Sequence, residues 1–509
     1  MTSATNAAPI ALEYDEVNIV VSDFHLSAGA KTPTELKYSW FGRLLFWLLG
    51  NFGWQDIKRP SLAGNPLEDF PDDTVFTDFL ATMTARYAGS SRIIRLRLMG
   101  DMFDPLAVLW RGRFKDPPFE DTAVVKMTAI VAGHPRFFRA LADFLRQPFA
   151  RVDIFVGNHD ICLVWAGVQR LLSQALVGDC PEAAERLRFI DQRQEFRDID
   201  RGVLYEHGMN GEFHTSFDAP TVILTRRIGS DQELPRPVLN QPLGNYMTCS
   251  LVYPMKLDNP LVCRLKSERD IWAHAYKHRW LWGLRFGVML AWNFIYNTCF
   301  AFWDIRRKTN FLHMMRAMLG TLRVNPVDKY AEALQKRFPE VKLVILGHSH
   351  VERVVCGPKG TYLNTGSWAK QLRFEWPCFE RTWKRWRWLE PLWRSTVHFF
   401  RTGELRLAAR IVRTVIFITV LAGLGWFLWT SFPANERLWG SLLNDLKVYA
   451  GLLMLIIGVL GIFRFLVVEP DLLPAERYTF VLVCHRTDGN LEYDLMEWFP
   501  REGEIKKYV

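Results

Sequence analysis

At 509 residues, with 49% hydrophobic and 23% charged, the chain can bury a sizeable core and carry large insertions, which excludes a peptide or a disordered tail. Its 63 basic residues against 54 acidic ones give a net charge of +9, which suits an anionic partner such as a phospholipid headgroup, a nucleotide or nucleic acid without choosing among them. The 20 Trp and 36 Phe are an aromatic excess of the kind that favours interfaces and membrane surfaces.

From Met1 to Glu16 the chain lacks the basic start and apolar run of a secretory signal, so its N-terminal part is expected in the cytosol. Its 8 Cys are scattered without a pair at two-residue spacing, which points to a reducing compartment and to neither a thiolate metal site nor a disulfide framework. Short runs rich in Val and Ile then end repeatedly in polar, Gly-containing turns: VNIVVSDFH, RIIRLRLMGD, RVDIFVGNH, GVLYEHG and VKLVILGHSH. These predict buried strands feeding loops, and helical stretches between them, such as Val327 to Phe338, predict an α/β domain whose sites gather at strand ends. Near the C-terminus, alternating strands around Thr487, Asp488, Gly489 and Asn490 predict a hairpin.

Two late stretches differ in kind. Thr414 to Phe432 carries no charge, and Val448 to Val468 is apolar except for Arg464; each is long enough to cross a bilayer, with two buried core helices as the alternative. Upstream, from Gln371 to Arg413, Arg and Lys outnumber Glu and are interleaved with Trp376, Trp383, Trp386, Trp388 and Trp393, the composition of a cytoplasmic membrane shoulder or of a solvated basic loop. With a charge-balanced connection between the spans, the positive-inside rule predicts a helical hairpin with both ends in the cytosol. Phe41 to Trp54 and Phe286 to Trp303 are expected to be interfacial or re-entrant helices, walls of an apolar pocket, or ordinary core.

The polar strand ends carry the candidate chemistry. Asp23 and His25 are separated by one residue, which in an extended segment points both side chains the same way, and His348 and His350 repeat that spacing. Asp101 and Asp104 lie in GDMFD, which alone would read as a surface turn. In GNHD, the Asn158 carbonyl oxygen suits a hard cation while His159 stays free for proton transfer, with Asp160 beside it. His207 ends GVLYEHG; three His at strand ends beside two carboxylate motifs point to a metal or acid–base site rather than to core histidines.

In this order the five blocks resemble the signature of the calcineurin-like metallophosphoesterase superfamily, over about Val17 to Asn364 plus the C-terminal hairpin, with intervals that are long for the family. The resemblance implies one metal held by Asp23, His25 and His350, a second by Asn158, His207 and His348, and Asp101 bridging them. It makes His159 the general acid, with Asp160 orienting it and Asp104 supporting the metal loop. Two divalent ions would lower the pKa of a bridging water and clamp a phosphate; manganese comes first, with iron, zinc or magnesium as alternatives. The implied fold is a four-layer α/β sandwich with two sheets. Its core would comprise residues 1–215 and 327–370, with an insert or cap at 216–326, the basic shoulder and transmembrane hairpin at 371–475 and the closing hairpin at 476–509.

The SDFHL form of the first motif, GNHD and the later NTGSW most resemble the bacterial UDP-2,3-diacylglucosamine hydrolase branch, whose members cleave the pyrophosphate of a lipid-linked nucleotide. The chain departs from that branch at His159, where close members often have Arg, and in its hairpin. The expectation is a multi-pass enzyme of the cytoplasmic (inner) membrane with its catalytic domain facing the cytosol, partnered by membrane lipid and an anionic, phosphate-containing substrate. A nuclease or nucleotide phosphodiesterase of the same superfamily is the alternative, which membrane insertion argues against. A Ser/Thr phosphatase fits less well, because those normally carry Gly-Asn-His-Glu and an Arg where this chain has Pro105. A membrane scaffold retaining the fold is the non-enzyme reading.

Overall fold

The computed structural model describes residues 12–32, 65–111, 114, 118–212, 214–226, 231–253, 256, 326–369, 372–375, 471–474 and 477–508. The chain divides into one unit of Met1–Ala275, Arg279–Arg373 and Pro474–Val509 and another of Tyr276–His278 and Phe374–Leu473. The strands in chain order are β1 (Tyr14–Val21), β2 (Ser91–Met99), β3 (Ala150–Phe155), β4 (Leu187–Ile190), β5 (Arg197–Asp200), β6 (Val203–Glu206), β7 (Ile223–Arg226) and β8 (Glu233–Leu239). They continue with β9 (Leu343–Leu346), β10 (Arg353–Gly357), β11 (Gly360–Asn364), β12 (Leu372–Glu375), β13 (Asp471–Pro474), β14 (Tyr478–Arg486), β15 (Leu491–Phe499) and β16 (Glu504–Lys507). The helices are α1 (Asp73–Tyr87), α2 (Glu120–Gly133), α3 (Pro135–Leu145), α4 (Ala166–Val177), α5 (Leu243–Met247) and α6 (Pro326–Arg337).

The fold is α/β, with parallel and antiparallel pairing in both main sheets. A seven-stranded sheet has the order β16-β15-β14-β1-β2-β3-β4, and a five-stranded sheet the order β10-β11-β9-β6-β5. β1, β2, β3 and β4 run parallel, and the β14–β15 hairpin adds to β1 antiparallel. In the second sheet β6, β9 and β11 run parallel.

Strand alternation sorts side chains between two cores. Val17, Ile19 and Val21 of β1 and Leu96 and Leu98 of β2 pack with Phe76 and Phe79 of α1, Met127 of α2, Phe137 of α3 and Leu172 of α4. Val20 and Met99 face the other way, onto Val203, Tyr205, Leu343 and Ile345 of the smaller sheet. A third cluster seats Val327, Ala331 and Leu334 of α6 on the outer side of that sheet, against Leu204, Val344 and Leu346. A buried ion pair lies here: Arg97 is fully buried, donates to Asn18 Oδ1 at 2.7 Å, pairs with the buried Asp153 at 3.2 Å and lies 3.8 Å from the Tyr205 ring centroid.

The parallel strands β1, β2, β3, β6 and β9 all end on one side, where the loops carrying the candidate residues meet. Those loops are cross-bonded through their backbones: Asp23 and His25 amides donate to Gly100 and Asp101 carbonyls, and the Gly347 amide donates to the His207 carbonyl. The segment after β11 clamps the first loop from behind. Trp368 and Ala369 amides and Ser367 Oγ donate to the Asp23 carbonyl, while the Trp368 ring stacks on Phe24 at 4.6 Å and its Nε1 donates to Thr479 O.

β12 and β13 pair with each other in a separate two-stranded sheet. The two predicted spans, Thr414 to Phe432 and Val448 to Val468, the Trp-rich shoulder after Glu375, and the apolar runs at Phe41 and Phe286 lie outside the described residues. Among the described residues no helix is long and apolar enough to cross a membrane.

Because Trp368 joins the core to the Asp23 loop, Trp368→Ala is expected to cost about 3–5 kcal/mol and to lower the thermal unfolding midpoint clearly. Differential scanning fluorimetry of the detergent-purified chain checks this; an unchanged midpoint would show that the stack on Phe24 carries little.

Candidate metal centre

The loops that deliver the site turn sharply instead of running extended. Asp23 and His25 have φ of 57° and 52°, His348 and His350 of 66° and 57°, and Asp101 of 50°, all in the left-handed region that bulky residues avoid. The expected extended geometry of the two Asp-x-His and His-x-His pairs is therefore corrected: alternate residues converge because each is turned, not because the segment is straight. Two glycines make room. Gly100, at φ +84°, would bring a Cβ to 2.6 Å from the His207 ring, and a Cβ on Gly157 would collide with Asp101 Oδ1.

The candidate ligands Asp23, His25, Asp101 and His350 converge as one group, and Asp101, His207 and His348 as another, each able to hold a metal ion. Asp101 belongs to both. Its Oδ1 accepts from the His159 amide at 2.8 Å, while Oδ2 stands 3.3 Å from His207 Nε2 and 3.9 Å from His25 Nε2. In the first group His350 Nε2 is 3.0 Å from Asp23 Oδ1 and 3.2 Å from His25 Nε2. Neighbouring ligands of an ion bound at about 2.1 Å stand about 3–3.4 Å apart in octahedral or tetrahedral geometry, so most of these spacings match a shared cation.

The donor atoms pass a second test. Asp23 Oδ1, Asn158 Oδ1, His207 Nε2 and His348 Nδ1 are all buried without a hydrogen bond. Buried polar atoms are ordinarily satisfied, and four exceptions within the candidate ligand set suit bound cations, with Asp23 Oδ1 facing His350 and His207 Nε2 facing Asp101. The other ring nitrogens are held: His207 Nδ1 donates to Met99 O at 2.8 Å, leaving Nε2 as the lone-pair atom, and His348 Nε2 lies 3.2 Å from Thr215 Oγ1 and 3.6 Å from Glu212.

The field of the site favours positive charge. Burial disfavours ionised Asp23, Asp101 and Asp104, but the histidines outweigh it: His350 and His207 lower Asp23 to about 2, His207 and His159 lower Asp101 well below the usual range, and His159 lowers Asp104 to about 2. In return Asp101 overcomes burial and raises His207 to about 10. His25, buried among other histidines, is pushed down to about 3, as suits a neutral ligand. Among the described residues no Lys or Arg pairs with Asp23, Asp101, Asp104 or Asp160.

His159 is partly exposed, its side chain at 18%. The supporting roles expected for its two Asp neighbours are exchanged. Asp160 accepts from the amides of Gly157 at 2.6 Å, Met102 at 2.9 Å and Phe103 at 3.3 Å, tying the second and third motif loops together. Burial and the charge on Asp101 push it up to about 7. The ring of His159 is met instead by Asp104, whose Oδ1 is 3.3 Å from Nδ1, and by Tyr253, whose hydroxyl is 3.2 Å away. The reason is local: Asp160 opens a short helical turn, Ile161–Val164, that carries its carboxylate back over the preceding loop. Burial works against a charged His159, but Asp104 and Asp101 prevail and raise it to about 9.

Four residues outside the motifs complete the surroundings. Asn245 donates to the Asn158 carbonyl at 2.6 Å, Thr215 and Glu212 approach His348, and Tyr253 reaches Asp104. Three of them, Thr215, Asn245 and Tyr253, lie at or beyond the expected core boundary, in a segment with no strand-end pattern to announce them.

Saturating divalent metal, with manganese as the probe, is expected to raise the thermal midpoint by the equivalent of about 2.7 kcal/mol at a hundredfold excess over Kd, and Asp101→Asn is expected to abolish the shift. No shift in the native chain would show that the cluster is held together by protons alone. Neither a scan against protein-family models nor a search of curated proteins finds a match to the chain.

Proposed function

We propose that the chain is a membrane-held phosphoesterase of calcineurin-like type, with two divalent ions, manganese first among them, in a four-layer α/β sandwich. One ion is assigned to Asp23, His25 and His350 and the other to Asn158, His207 and His348, with Asp101 between. The observation that carries the reading is the shared Asp101 Oδ2, flanked by His25 and His207, with buried, unbonded donor atoms on both sides. Two such groups meeting at one carboxylate suit an in-line displacement at phosphorus, where charge develops on attacking and leaving oxygens alike.

When bound, divalent ions supply a water that ionises near neutral pH and a clamp on phosphate oxygens. The chain's own residues do the rest. Asp104 holds His159 through Nδ1 and, with Asp101, favours the protonated ring. His159 Nε2 has no hydrogen-bond partner among the described residues and is the atom that hands a proton to the leaving oxygen as its bond to phosphorus breaks. Asp160 keeps the Asp101 and Asn158 loops at a fixed distance through the amides it binds.

The substrate class follows from the rest of the chain. The uncharged stretch Thr414 to Phe432 and the apolar Val448 to Val468, flanked by a basic, Trp-rich shoulder, suit a hairpin in the cytoplasmic membrane with the catalytic unit in the cytosol. The pairing of β12 with β13 suits a segment that leaves and returns at one place. An enzyme so held gains effective concentration on a substrate whose acyl chains share its bilayer, and a lipid-linked phosphodiester or pyrophosphate such as UDP-2,3-diacylglucosamine fits best.

Detergent-purified protein with manganese is expected to hydrolyse UDP-2,3-diacylglucosamine well above a soluble model diester, with Asp101→Asn inactive on both. Cleavage of the model diester alone would discard the lipid substrate and keep the reaction class; cleavage of neither would overturn the reading.

A further inference from the structure

Tyr253 is the one described residue from the middle of the long insert that touches the proton donor. It follows His159 by 94 positions and belongs to none of the five motifs. Its ring is 2% exposed, packed with Leu67, Leu106 and Ala107 and tilted against Phe114 at 5.3 Å, so its hydroxyl is presented from a fixed wall. That hydroxyl donates to Asp104 Oδ2 and lies 3.2 Å from His159 Nδ1; Asp104 Oδ1 lies 3.3 Å from the same nitrogen.

Counting protons assigns the direction of each contact. The single hydroxyl proton of Tyr253 is used on the carboxylate, which can only accept, so toward the ring the phenolic oxygen is itself an acceptor. The Nδ1–H of His159 is therefore shared between Asp104 Oδ1 and Tyr253. Asp104 is fixed in turn, its amide donating to Leu26 O at 2.7 Å and its Oδ1 accepting from the Ala107 amide at 3.2 Å. Flipping the imidazole would put a carbon against both acceptors and forfeit both contacts.

We propose that Tyr253 is a positioning residue: with Asp104 it locks the ring of His159 so that Nε2 is the nitrogen offered to the leaving group. The insert thereby supplies part of the acid machinery and is more than a lid. The consequence for turnover rests on the phosphoesterase reading above, whereas the contact itself belongs to the fold.

The test compares two diesters with the full chain in detergent, because help from a general acid matters for phenol as a leaving group and little for p-nitrophenol. On diphenyl phosphate, Tyr253→Phe is expected to lower kcat about tenfold with KM unchanged, and on bis(p-nitrophenyl) phosphate to lower it by less than about twofold. His159→Ala is expected to show the same contrast more strongly, and the double variant to be no slower than His159→Ala. Equal losses on both diesters, or an effect of Tyr253→Phe that persists without His159, would overturn the proposal.

A second readout needs no turnover. In metal-free protein with ring-15N-labelled histidine, the Nδ1 signal that disappears in His159→Ala is expected to move in Tyr253→Phe; an unmoved signal would overturn the contact. Should the native chain cleave neither diester, the phosphoesterase reading falls and the nitrogen signal alone decides whether Tyr253 holds the ring.

Discussion

The carboxylate of Asp101 is the point on which the rest of the structure depends. It is 1% exposed, pinned on one oxygen by the His159 amide, and flanked on the other by histidines from the loops after β1 and β6. Asp23, Asp104 and Asp160 are buried around it, and no Lys or Arg pairs with any of the four among the described residues. Burying an ion without compensation costs several kcal/mol, so a cluster of this sign needs cations, supplied by protonated imidazole or by metal. Both sheets contribute to that arrangement. β1, β2 and β3 bring the carboxylates, His25, Asn158 and His159, β6 and β9 bring His207, His348 and His350, and the core between the sheets holds the two sets in register.

Much of this was legible in the residues. Val- and Ile-rich runs ending in Gly-containing polar turns mark the strands, and buried parallel strands in a layered α/β fold present their ends on one side. Asp23, His25, Asp101, Asn158, His207, His348 and His350 all follow such ends. What the pattern could not carry is conformation within a loop. One-residue spacing reads as an extended pair, but Asp23, His25, His348 and His350 reach the site through left-handed turns that packing against neighbouring loops enforces. Adjacency also misleads at His159: Asp160 is next in sequence, yet a helical turn begins there and aims its carboxylate at backbone amides, while Asp104, 55 residues earlier, meets the ring. Tyr253 and Asn245 had no periodic or motif context, and only tertiary packing brings them in.

In the insert, Asn245 donates to the Asn158 carbonyl at 2.6 Å beside the candidate metal centre, and Lys256, fully buried, pairs with Asp69 at 2.7 Å. β12 and β13 pair with each other, and the closing β14–β15 hairpin completes the larger sheet against β1. Trp368 and the segment Asn364–Ala369 serve as the backing of the Asp23 loop.

The proposed function requires the Asp101 carboxylate to join two metal positions. Electron paramagnetic resonance of the manganese-loaded chain tests it most directly, because ions sharing a ligand are exchange-coupled. A shared Asp101 predicts the multiline signal of a coupled manganese pair, collapsing to uncoupled manganese in Asp101→Asn. A six-line signal of isolated manganese in the native chain, or no bound manganese at all, would contradict it.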